Sequence, residues 1–128
     1  MRVAIIGGRD FINYDLLKFK LIPYRASITQ IVSGGANGAD TLGAMFGREN
    51  GIPVKVFEAE WENFNEPCKV KKNKNGKEYN ALAGFNRNID IIKNSDFIVA
   101  FWNGVSLGTR DSIRKAHKLK KDILIVYY

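Results

Sequence analysis

Glycines at the ends of apolar runs, two arginines and a few aspartates are the residues of this chain whose types and spacing could do chemistry on an anionic ligand. The stretch Ile31-Val32-Ser33-Gly34-Gly35-Ala36-Asn37-Gly38-Ala39-Asp40 begins as a strand and ends as a helix start. It holds three glycines and no cation. Glycine lets a ligand approach the backbone closely, and the free N–H groups of a helix start attract anions. Such a turn can cradle a phosphate by backbone alone, so the positive side chains must come from other segments. Gly7-Gly8-Arg9-Asp10 and the pair Trp102-Asn103-Gly104 and Gly108-Thr109-Arg110 repeat the same pattern after two further apolar runs.

The second cation is Arg87, in Ala83-Gly84-Phe85-Asn86-Arg87-Asn88. On a helix, Gly84, Arg87 and Asn88 share a face at spacings of three and four. Gly84 would open space and Arg87 would reach across it. Leu82, Phe85, Ile89 and Ile92 form a separate stripe directed at the core. Other chemistries find no support. No Gly-x-Gly-x-x-Gly follows the first apolar run, and the second ends in Ser33-Gly34-Gly35 rather than in an acid that could grip a ribose, which argues against a nicotinamide dehydrogenase. A Walker lysine, a Ser-His-Asp set and metal-ligand spacing are also missing, so neither metal nor cofactor is expected. Cys68, the one cysteine, has no disulfide partner, and His117 reads as a surface residue.

The elements that must position these residues alternate. Strands are expected at Val3–Ile6, Ile28–Ser33, Pro53–Phe57, Phe97–Phe101 and Ile123–Val126, and helices at Asp15–Ile22, Asn37–Asn50, Tyr79–Asn94 and Thr109–Lys121. That alternation predicts an α/β, Rossmann-like, doubly wound and mainly parallel five-stranded sheet with helices on both faces. In strand order 3-2-1-4-5 the chain reverses between the first and fourth strands, and ligands bind outside the carboxyl ends there. The glycine turns should converge on that rim. One domain over residues 1–128 is expected, with a polar insert at about 58–79 in which Lys69, Lys71, Lys72, Lys74 and Lys77 crowd around Asn75-Gly76 as a loop or small hairpin.

Composition bounds the partners. Of 128 residues, 45% are hydrophobic and 26% charged, as in ordinary globular domains, and the net charge of +7 suits an anionic partner as well as plain solubility. No apolar run approaches the ~20 residues of a membrane helix. Val3–Ile6 is too short for the core of a signal peptide, so a cytoplasmic location and no membrane partner are the expectation.

Val3 to Phe11, Val32 to Asp40, Trp61, Ala83 to Asn88 and Gly108-Thr109 together resemble one group in order and spacing. It is the SLOG superfamily, named for the Smf/DprA and LOG proteins, and within it the YspA, cpYpsA-related branch. The resemblance implies a Rossmann-like fold binding nucleotides or nucleotide-derived ligands through Gly7, Gly8, Arg9, Asp10, Ser33, Gly34, Gly35, Gly38, Asp40, Trp61, Gly84, Arg87, Asn88, Gly104, Gly108 and Thr109. LOG enzymes cleave the base from nucleoside 5′-monophosphates with a helix arginine, here Arg87, and a Gly-Gly-x-Gly-Thr-x-x-Glu motif. This chain departs from that motif: Gly104 to Gly108 is one residue too long, and Ser112 stands at the glutamate position, with Asp111 beside it. Breaking an N-glycosidic bond builds positive charge on the sugar, which a carboxylate stabilises and a serine does not. Arg87 and Asp111 are therefore the catalytic candidates if the chain hydrolyses its ligand, with Asp10 and Asp40 as further carboxylates.

The expected partner is a nucleotide or nucleotide-derived small molecule, bound with or without N-glycosidic hydrolysis. A sensor or sequestering protein is the non-enzymatic form. The alternative is single-stranded DNA binding of the DprA type, through the lysine insert and the flanking Trp61, Phe64 and Tyr79. A homodimer is left open.

Overall fold

The computed structural model describes residues 1–128. Its principal sheet has five parallel strands, β1 (Arg2–Gly7), β2 (Gln30–Ser33), β3 (Val54–Val56), β6 (Phe97–Trp102) and β7 (Asp122–Tyr127). Their order is β3-β2-β1-β6-β7. Two short strands, β4 (Val70–Lys72) and β5 (Glu78–Asn80), pair antiparallel as a separate hairpin. The expected order of the main sheet is thus observed, with the hairpin interposed.

Side chains alternate across a strand, and here both faces of the central strands are covered. Val3 and Ile5 of β1, with Val99 and Phe101 of β6, pack under α1 (Tyr14–Leu21) and α2 (Ala39–Glu49). Ala4, Ile6, Ile98 and Ala100 face the other way, against Ile91 and Ile92 of α3 (Ala83–Lys93) and Ile113 and Ala116 of α4 (Leu107–Lys118). All eight strand residues are at most 5% exposed, which explains why these runs are apolar at every position rather than at alternate ones.

At α3 and α4, two helix starts and one buried face differ from the sequence expectation. Tyr79 and Asn80 belong to β5, and α3 begins only at Ala83, because the insert closes on itself before the helix starts. Its inward face carries Ala83, Ile91 and Ile92, while Phe85 is 41% exposed, so the Leu82–Phe85–Ile89–Ile92 stripe is not the buried one. Arg87, one turn from both Ala83 and Ile91, lies in line with the buried residues rather than away from them. Finally, α4 starts two residues early, capped by the Ser106 side chain, which places Gly108 inside its first turn.

The insert is a hairpin with its own pin. Asn80 is fully buried, and its side-chain amide donates to the carbonyls of Asn63 (3.0 Å) and Pro67 (3.1 Å). Its Oδ1 accepts from the amides of Lys69 (3.2 Å) and Leu82 (2.9 Å). One polar side chain thus does for the insert what an apolar core does elsewhere. The insert's lysines all remain exposed, and Lys77 pairs with Glu62.

Candidate functional site

The strand order reverses between β1 and β6, which lie side by side with Gly7 paired to Phe101. Outside their carboxyl ends lies a cleft of about 520 Å³. The loop after β1 supplies Gly7, Gly8, Arg9 and Asp10. The loop after β6 and the start of α4 supply Asn103, Ser106, Gly108, Thr109 and Ser112. From α3 come Gly84, Phe85, Arg87 and Asn88, from α2 Asp40, and from the insert Trp61. Eleven of the residues singled out in the sequence therefore meet on one wall system.

Ser33, Gly34, Gly35 and Gly38 do not line the cleft; they stand behind it. The turn after β2 is already filled by an anion of the chain's own. Asp40 Oδ2 accepts from the Ala36 amide at 3.2 Å, and the Gly35 amide is taken by Ser33 Oγ at 3.2 Å. Asp40 is only 8% exposed. Gly34 is small for the sake of this arrangement. A Cβ there would lie 2.8 Å from Asp40 Oδ2 and 3.3 Å from Arg87 Nη1. The glycine turn thus seats a carboxylate and an arginine rather than receiving a phosphate through its amides. Gly38 caps α2 with a φ of 79°, and any side chain on it would strike the carbonyl of Gly8, so it lets α2 close against the loop after β1.

Arg87 bridges the two regions. Its Nη1 donates to the Gly34 carbonyl at 2.8 Å, while its Nε is buried without a partner. Nη2 lies toward Gly84, where an added Cβ would sit 3.9 Å from it and 3.6 Å from Trp61 Cη2. Those are ordinary contacts, so Gly84 leaves a shallow space between tryptophan and guanidinium. Burial pushes the Asp40 carboxyl up to about 6, against the opposing pull of the Ala36 amide, Arg87, the Gly34 amide and Arg9. It is mostly ionised at neutral pH and is the deepest charge of the cleft.

The α4 side is held by local hydrogen bonds. Asn103 Oδ1 accepts from the amides of Val105 and Ser106, each at 2.9 Å, and Trp102 Nε1 donates to the Ser106 carbonyl at 3.1 Å. Gly104 makes the tight part of this loop, with φ 87°, and does not line the cleft. Asp111 does not reach the cleft. Its carboxylate receives Lys115 Nζ at 2.6 Å and Asn88 Nδ2 at 3.2 Å, and so ties α4 to α3. Asp10 does reach it, and its Oδ1 accepts from the Tyr128 hydroxyl at 2.5 Å. Burial first, then that carboxylate, pushes the Tyr128 phenol up to about 12, so it remains a donor at any physiological pH.

The family profile described as YspA, cpYpsA-related SLOG matches residues 1–64, half of the chain. The chain belongs to this SLOG family. The matched half contains the loop after β1 and the filled turn after β2. No curated protein matches the chain in sequence. Among solved structures, DNA processing protein A (DprA) from Streptococcus pneumoniae is similar with TM-score 0.72 and 20% identity, over 97% of this chain and 49% of that one. DNA processing protein A from Helicobacter pylori gives 0.67 and 23%, over 98% and 64%. The structural-genomics target TM1055 gives 0.61 and 20%, over 95% and 71%. At these identities the likeness establishes the fold. The SLOG chain spans about half the length of the first of these proteins and less than two thirds of the second.

Asn103, from the Trp102-Asn103-Gly104 turn, and Ser112, at the LOG glutamate position, also line this SLOG cleft, and so does Ser106, which sequence reasoning missed. The Asn103-x-x-Ser106 spacing, a side-chain-capped turn running into a capped helix, is the signal that points to it. Asn80 and Tyr128, which hold wall residues from behind, had no such signal.

Proposed function

We propose that this cleft binds a phosphorylated nucleoside or a nucleotide-derived ligand. The observation that carries the reading is the mixture of groups in one concavity. Arg9, Arg87 and the start of α4 suit a phosphate, Trp61 and Phe85 suit a base, and Asn103, Ser106 and Thr109 suit sugar oxygens. About 520 Å³ is within the usual range for small-ligand sites. For N-glycosidic hydrolysis, the carboxylates available at the cleft are Asp10 and Asp40, with Ser112 where LOG enzymes carry a glutamate. Isothermal titration with AMP, GMP, CMP and UMP tests binding, and release of free base from the same panel separates an enzyme from a sensor. At least one of the four should bind to the wild type. Absence of heat with all four contradicts the reading.

A second reading, single-stranded DNA binding, is favoured by the hairpin. Its exposed Lys69, Lys71, Lys72, Lys74 and Lys77 adjoin Trp61 and Tyr79, whose rings meet edge to face at 6.3 Å. The Helicobacter relative is described by its single-stranded DNA binding mode. Oligonucleotide affinity that falls steeply with salt, and falls again when the five lysines become serine, supports it.

A further inference from the structure

We infer that the ligand presents a ribose with free vicinal hydroxyls, that Asp10 accepts a hydrogen bond from it, and that Tyr128 is the residue that positions Asp10. This rests on the nucleotide reading of the cleft and narrows it to ribonucleotides.

Asp10 is the exposed carboxylate of the cleft wall, and only one of its oxygens is engaged. Oδ1 accepts from the Tyr128 hydroxyl at 2.5 Å, while Oδ2 has no partner within the chain. An ionised carboxylate can only accept hydrogen bonds, and it repels a phosphate. The cleft is therefore divided by charge. Phosphate belongs with the arginines and the start of α4, and a hydroxyl or amine donor belongs at Asp10. The base has its own apolar wall at Trp61, which packs beside Gly84 on α3. Asp10 is instead anchored from the β7 edge, which leaves the sugar as the source of the donor.

The anchoring is rigid. The Tyr128 amide donates to the Trp102 carbonyl at 3.3 Å. Its ring packs on Phe11 at 4.9 Å between centroids, and Phe11 stacks in turn on the fully buried Phe101 at 4.5 Å. The hydroxyl lies against Gly8, where any side chain would collide with it. A glycine on the loop after β1 thus admits a tyrosine that fixes a carboxylate at the site. Rossmann-type nucleotide sites place a ribose-binding acid after the second strand; here that place is Ser33-Gly34-Gly35, and the acid follows the first strand instead.

The test compares AMP with 2′-deoxy-AMP by titration calorimetry on the wild type, Asp10→Asn and Tyr128→Phe. The wild type should prefer AMP by roughly tenfold or more, the worth of a hydrogen bond to a charged acceptor. Asp10→Asn should reduce that preference to about twofold or less by weakening AMP alone. Tyr128→Phe keeps the ring stack but frees the carboxylate, and it should lower the preference while leaving 2′-deoxy-AMP affinity unchanged. Equal binding of the two nucleotides to the wild type, or a preference that survives either substitution, overturns the inference while the cleft reading stands. If AMP does not bind but GMP, CMP or UMP does, the same comparison is made with that nucleotide and its 2′-deoxy form; if none of the four binds, both fall.

Discussion

Replacing Asp40 by asparagine changes the buried charge of the cleft wall and little else, and the consequence can be worked from the fold. The carboxyl titrates at about 6, against an ordinary 3.8, because it is withdrawn from water. Between those pH values the folded chain holds a proton that the unfolded chain has released. Stability must therefore fall as pH rises through this window and level off above it. A gap of about two units at 1.36 kcal/mol each amounts to about 3 kcal/mol, of which roughly 2 is lost between pH 4.5 and pH 8. Asparagine does not titrate, and its carbonyl oxygen can still accept from the Ala36 amide. Urea unfolding of both proteins across that pH range isolates the contribution, since every other group cancels in the difference. The stability of the wild type minus that of Asp40→Asn should decline by about 2 kcal/mol toward pH 8. A flat difference contradicts the burial argument. A difference that rises with pH would mean that the attraction of Arg87 outweighs desolvation.

Arg87→Ala removes the bond to the Gly34 carbonyl, a hydrogen bond from a charged donor. It should cost roughly 2 kcal/mol of stability and at least tenfold in affinity for the nucleoside monophosphate that binds best. Arg87→Lys should restore part of the stability but not the affinity, because one ammonium cannot both hold the Gly34 carbonyl and present a second donor beside Gly84 as Nη1 and Nη2 do; an unchanged urea midpoint for the alanine variant, or full affinity for either, refutes the assignment. Asn80→Ala leaves two amides and two carbonyls of the insert unpaired. It should loosen the insert by about 2–4 kcal/mol, read as faster hydrogen exchange at Lys69 and Leu82 while β1 and β6 keep their protection. Equal slowing in both regions of the wild type and the variant would contradict it.

The main sheet was legible because parallel, doubly covered strands are apolar at every position, as in Val3–Ile6 and Phe97–Phe101. The convergence of Gly7–Asp10, Arg87 and Gly108-Thr109 was legible for a related reason: strand order alone brings carboxyl ends together. What the sequence did not disclose depends on single side chains reaching across the fold. Nothing local in Ser33-Gly34-Gly35 says that Asp40 will occupy the turn, since Asp40 also reads as an ordinary acid in the first turn of a helix. The shared face of Gly84, Arg87 and Asn88 does line the cleft, but the buried stripe of α3 was not legible because Phe85 looks like a core residue by hydrophobicity. It is instead exposed at the cleft, where apolar surface can serve a ligand. The hairpin was legible only as a turn at Asn75-Gly76, because its anchor, Asn80, is a polar residue in a polar stretch.

The claim that the cleft is a nucleotide site is tested most directly by mapping amide chemical shifts of isotopically labelled protein during titration with AMP, GMP, CMP and UMP in turn. The account predicts saturable shifts at Gly7, Gly8, Arg9 and Asp10, at Ser106, Gly108 and Thr109, and at Gly84 to Asn88, with the Trp61 indole moving alongside them. Shifts confined to the lysine hairpin, or none at millimolar nucleotide, would contradict it.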